Sequence, residues 1–86
     1  MENKEILSMQ EVDFSKLKMP AIAVYKRPED FPRKCVARVY DMDKPTEHIL
    51  IKNTLAEIDK DIRRYTNFTC IPRGKEDAPS LVCVWM

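Results

Sequence analysis

Asn53-Thr54-Leu55-Ala56-Glu57-Ile58-Asp59-Lys60-Asp61-Ile62-Arg63-Arg64-Tyr65 is the stretch that decides the fold. Thr54 and Glu57 stand in the T-x-x-E relation of a capping box, in which the threonine oxygen takes a first-turn N–H and the glutamate reaches back to the N-cap amide. A helix therefore starts at Thr54. Leu55, Ile58, Ile62 and Tyr65 recur at intervals of three and four and form one apolar stripe, while Glu57, Asp59, Lys60, Asp61, Arg63 and Arg64 fill the opposite side. Such a helix has one face to bury.

What it is buried against is read from its flanks, which carry short runs rich in β-branched and aromatic residues. On the N-terminal side, Cys35 to Asp41 alternates between Cys35, Ala37, Val39 and Val36, Arg38, Tyr40, the period of a half-buried strand. Before it, Ala21–Lys26 reads as a strand, because Pro20 is tolerated at a strand's start but not inside one. After it, Asp41–Thr46 turns the chain into a third strand, Glu47–Lys52. On the C-terminal side, Asn67 reads as a left-handed C-cap. Phe68–Ile71 follows as a fourth strand stopped by Pro72, residues 73–80 as a charged turn, and Leu81–Met86 as a fifth strand, apolar on both faces and so placed inside the sheet.

These elements predict an α+β domain, βββαββ in order, whose antiparallel-dominated sheet of about five strands packs on one helix. The predicted core is Ile22, Val24, Cys35, Ala37, Val39, Ile49, Ile51, Leu55, Ile58, Ile62, Ile71, Val82 and Val84. Residues 20–86 make this domain and residues 1–19 an N-terminal arm, helical around Asn3–Gln10 or mobile, with a single turn capped by Asp13 after it.

Composition bounds the function. Eighty-six residues fit one domain, and fifteen basic against fourteen acidic side chains, a net +1, give no long-range pull toward nucleic acid or anionic lipid. No apolar run approaches the roughly 18 residues that span a bilayer, and the N-terminus lacks a signal-peptide layout, so no membrane partner and a cytoplasmic location are expected. Three cysteines are an odd set, read as reduced.

Cys35-Val36-Ala37-Arg38-Val39-Tyr40-Asp41, Lys44-Pro45-Thr46, Asn53–Ile58 and Val82–Met86 together resemble short uncharacterised bacterial proteins associated with mobile elements or phage of Gram-positive bacteria. The likeness spans residues 21–86. It implies a bacterial accessory protein and carries no catalytic motif.

Two chemistries are weighed and set aside. Cys35, His48, Cys70 and Cys83 are the right types for zinc, but no close pair such as C-x-x-C occurs, and free cysteine packs as a small apolar residue. His48 is the only histidine and serves equally as a cross-strand polar residue, so no enzyme, metal or cofactor is expected. A surface remains. By alternation Tyr25, Arg38, Tyr40, His48, Leu50, Lys52 and Trp85 project from the sheet face away from the helix. Tyr25, Arg38, Tyr40, His48, Lys52 and Trp85 are the candidate binding residues, for docking another protein or a second copy of the chain. Single-stranded nucleic acid, with bases stacked on the rings and phosphates on the cations, is the alternative. On this reading the N-terminal arm, a second subunit or a partner covers Trp85, since so large an aromatic is seldom bare.

Overall fold

The computed structural model describes residues 4–72 and 80–86. In chain order the elements are β1 (Lys4–Ile6), two 3₁₀ turns (Met9–Glu11 and Phe14–Lys16), β2 (Pro20–Lys26), β3 (Cys35–Asp41), β4 (Lys44–Lys52), α1 (Leu55–Tyr65), β5 (Cys70–Pro72) and β6 (Leu81–Trp85). The protein is a small α+β domain with one helix and a six-stranded mixed sheet, ordered β1-β4-β3-β2-β6-β5. β1 runs parallel to β4, and every other neighbouring pair is antiparallel.

The helix forms where its cap predicts. Thr54 is the N-cap, its Oγ1 accepts from the Glu57 amide at 3.3 Å, and the Glu57 carboxylate accepts from the amides of Asn53 at 3.0 Å and Thr54 at 3.2 Å. Ile58 and Ile62 are completely buried, with Leu55 and Tyr65 packed at the margin of the same core. The far end differs from expectation: Thr66, in extended backbone, is the C-cap, its amide and hydroxyl both donating to the Ile62 carbonyl at 2.9 and 2.8 Å. A threonine hydroxyl satisfies there the carbonyl that Asn67 was expected to reach by a left-handed turn.

On the sheet, the helix-side core comprises Ile22 and Val24 of β2, Cys35, Ala37 and Val39 of β3, Leu50 of β4, Ile6 of β1, and Cys83 and Trp85 of β6. Two strands present a different side from the one expected. In β4, Arg38 pairs with Ile49 and Ala37 with Leu50, so Leu50 faces the helix while Ile49 and Ile51 face away. Ile49 is buried there and Ile51 half-buried. In β6, Cys83 and Trp85 face the helix, leaving Val84 on the other side, because Trp85 pairs with Ile22 and Cys83 with Val24. Both strands carry apolar residues on either side of the chain, so the pairing with β2 and β3 decides which side goes in. Val82, at the β6 bulge, is half-buried against the core, and Ile71, expected in the core, is 46% exposed because β5 is the sheet edge.

The N-terminal segment is strand and 3₁₀ turn where a helix or mobile arm was expected. Ile6, Met9 and Val12 are buried in the core, and Asp13 caps the second turn through the Ser15 amide. Of the charged turn expected over residues 73–80, residues 73–79 lie outside the described residues. Two chain reversals use left-handed backbone without glycine: Arg27 at φ 50° enters the β2–β3 loop, and Met42 at φ 62° turns β3 into β4. No helix among the described residues is long and apolar enough to cross a membrane.

Candidate functional site

The sheet face opposite α1 is built by register. Across β2 and β3, Ala21 sits beside Tyr40, Ala23 beside Arg38 and Tyr25 beside Val36. β6 adds Val84 beside Ala23 and Leu81 beside Tyr25, and β4 adds Ile49 beside Arg38. Alternate alanines on a central strand leave a low strip, and the larger side chains around it form walls. The result is a cleft of about 290 Å³ lined by Ala21, Ala23, Tyr25, Tyr40, Leu81 and Val84, with Met42, Asp43 and Met86 at its rim. Met42 and Met86 are both exposed there.

Two polar links stiffen this face. The hydroxyls of Tyr25 and Tyr40 approach to 3.4 Å across the intervening row of Ala23 and Arg38. Burial, reinforced by the Tyr40 hydroxyl, pushes the Tyr25 phenol up to about 12. The Arg38 guanidinium donates to the Asp30 carboxylate at 2.9 Å, which ties the β2–β3 loop to the face. That loop is further closed by the Arg27 amide donating to the Lys34 carbonyl at 2.9 Å.

The six residues expected on one surface divide into two sets. Tyr25, Arg38 and Tyr40 come together on the open face. His48, Lys52 and Trp85 stand on the helix side, for the reason that places Leu50 there: once Ile49 pairs with Arg38, residues 48 and 52 must point the other way. Lys52 lines a groove beside Glu57, Lys60, Asp61, Arg64 and Tyr65 of the helix. His48, paired with Lys4 of β1, has a buried Nδ1 with no hydrogen-bond partner among the described residues. Trp85 is 2% exposed and belongs to the core. The helix flanks the indole: the Arg63 guanidinium lies 5.1 Å from the ring centroid and donates through Nε to Asp59 at 2.9 Å. The N-terminal segment belongs to the same core, with Ile6, Met9 and Val12 buried in it and Phe14 and Leu17 packed against it. Ala21, Ala23, Leu81 and Val84 are the lining residues that the sequence reading left out. The Ala-x-Ala spacing of 21 and 23 was the available signal, since two small residues on one face of a central strand mark a place where something else can approach.

The cysteines and the histidine do not assemble. Cys35 is buried, its thiol directed at the Asn53 carbonyl 4.0 Å away. Cys83 is buried and Cys70 exposed, on the two adjacent strands β5 and β6. Among the described residues no three His, Cys, Asp or Glu side chains are grouped as metal ligands. Comparison with protein-family models, with curated proteins and with solved structures finds no match.

Proposed function

We propose that the protein is a small non-enzymatic binding module that docks another protein through the sheet face opposite α1. The observation that supports this most is the cleft itself: an alanine floor between tyrosine, leucine and valine walls, with flexible methionines at the rim. Apolar clefts of this kind accept a protruding side chain, and methionine adapts to the shape of what enters. The nucleic-acid alternative draws less support. Lys52 and Trp85 stand on the helix side, Arg38 is engaged by Asp30, and the ionic residue at the rim is the acidic Asp43. A phosphate backbone would meet few free cations there.

Val84→Asp places a charge in the cleft wall, whereas Lys60→Glu alters the helix side and leaves the cleft intact. A partner recovered at high salt by the native protein and by Lys60→Glu, but lost by Val84→Asp, supports the reading, with circular dichroism checking that both variants fold. Retention by Val84→Asp refutes it. Salt-sensitive binding of a single-stranded oligonucleotide, abolished by Tyr40→Ala, would favour the alternative.

A further inference from the structure

Among the described residues β5 is the sheet edge with one neighbour, β6, with which it pairs Cys70 to Trp85, Ile71 to Val84 and Pro72 to Cys83. Cys70 and Cys83 are therefore diagonal to one another on the helix side of a two-stranded ladder. Both line one cleft of about 320 Å³, walled by Val24, Leu55, Ile58 and Trp85. Their surroundings differ: Cys70 is open to solvent while Cys83 is 8% exposed. Cys35, the third thiol, lies on β3 and is directed at the Asn53 carbonyl.

We propose that Cys70 and Cys83 are an oxidative modification site that takes a hydroperoxide and closes to a disulfide, fastening the edge strand β5 to β6. An accessible cysteine beside a second thiol is the arrangement in which a sulfenic acid is captured before it over-oxidises. The Cys70 thiolate attacks the terminal peroxide oxygen, the O–O bond breaks, and the departing oxygen takes a proton and leaves as the reduced hydroperoxide; Cys70 becomes a sulfenic acid. The Cys83 sulfur then attacks the Cys70 sulfur. The S–S bond forms, the S–O bond breaks, and the departing hydroxide leaves as water with the Cys83 proton. Two thiols and one hydroperoxide thus give one disulfide, one water and the reduced hydroperoxide, which is a second water when the oxidant is hydrogen peroxide.

Diagonal partners in an antiparallel ladder stand roughly 7–8 Å apart at Cα, somewhat beyond the usual span of a disulfide. Closure requires the three-residue edge strand to move by that difference, and the adjoining cleft leaves the side chains room to turn. Burial, with the neighbouring Cys70 thiol, pushes the Cys83 thiol up to about 12, so the attacking thiolate becomes more abundant and closure accelerates as the pH rises.

The test is exposure of the full chain to hydrogen peroxide, followed by thiol counting and peptide mapping. The expected result is a fall from three free thiols to one, with a Cys70–Cys83 cross-link and Cys35 still reduced. Cys83→Ala, which keeps the pocket apolar, should instead accumulate a sulfenic acid on Cys70 that dimedone traps. A native chain that goes directly to the sulfinic acid at Cys70, cross-links between molecules, or keeps all three thiols at peroxide levels that oxidise a free thiol overturns the proposal.

Discussion

Asp61, in the middle of the helix, holds Ser8 and Met9 of the N-terminal segment: the Ser8 hydroxyl donates to its Oδ1 at 2.8 Å and the Met9 amide to its Oδ2 at 2.7 Å. Ser8 is also the cap of the first 3₁₀ turn, its Oγ accepting from the Gln10 amide at 3.1 Å while Glu11 returns to its backbone N–H at 3.2 Å. One carboxylate thus joins a local cap to a helix 53 positions away and seats Met9 and Ile6 in the core. Hydrogen bonds to a charged acceptor are worth about 1.5–3 kcal/mol each where buried. Discounted for partial exposure, Asp61→Ala should destabilise by about 1–2 kcal/mol in total. Hydrogen exchange at the Met9 amide should accelerate more than at Ile22, showing that the N-terminal segment loosens before the sheet does.

The helix start offers a graded comparison. Thr54→Ala removes the oxygen that receives the Glu57 amide and should cost about 1 kcal/mol. Ile58→Ala and Ile62→Ala each open a cavity beneath a fully buried side chain and should cost about 2–5 kcal/mol. Denaturant midpoints that rank Thr54→Ala as the most damaging would show that the cap, rather than the buried stripe, holds the helix on the sheet.

The sequence disclosed those elements whose two sides differ. α1 is polar on one side and apolar on the other, and in β3 the side with Arg38 and Tyr40 contrasts with Cys35, Ala37 and Val39, so each could be oriented without a partner. Ile49-Leu50-Ile51 in β4 and Leu81 to Trp85 in β6 are apolar throughout, and their own pattern carries no sign. There the ladder with β2 and β3 chose Leu50, Cys83 and Trp85 for the helix side, which removed His48, Lys52 and Trp85 from the expected surface. β1 was beyond reach for another reason. Lys4-Glu5-Ile6 has one apolar residue, and what makes it a strand is parallel pairing with β4, a contact across more than forty positions. The alanine floor of the cleft is legible in the Ala21-x-Ala23 spacing on one side of β2.

Trp85 tests the orientation of β6. In the intact protein its emission should be blue-shifted and protected from neutral and ionic quenchers, because the ring lies between the sheet and Arg63. Trp85→Ala should destabilise by about 3–5 kcal/mol, the cost of emptying a large buried site. Arg63→Ala should leave the fold intact while opening one side of the ring, so quenching should rise with a loss of stability of about 1 kcal/mol or less, an exposed cation–π contact being worth about 0.5–1 kcal/mol. An indole freely quenched in the native chain would return Trp85 to the outer face.

Alkaline pH should weaken the protein through Tyr25. Its phenol is pushed from 10.0 up to about 12 by burial and by the Tyr40 hydroxyl, so the folded state resists losing this proton while the unfolded chain loses it near pH 10. Because the folded value is the higher one, the stabilising contribution is complete below pH 10 and is lost as the pH rises from there to about 12. Cys83, raised from 9.0 to about 12 chiefly by burial, acts in the same direction and begins lower. The two are separable. Cys83→Ala should remove the part of the decline that starts near pH 9 and leave the part that starts near pH 10. Tyr40→Phe takes away the neighbouring hydroxyl but not the burial, so ultraviolet titration of the tyrosinate should find Tyr25 ionising at lower pH than in the native protein, yet still above 10.0. A Tyr25 titration unmoved by Tyr40→Phe would show that burial alone sets it and that the two hydroxyls on the open face act independently.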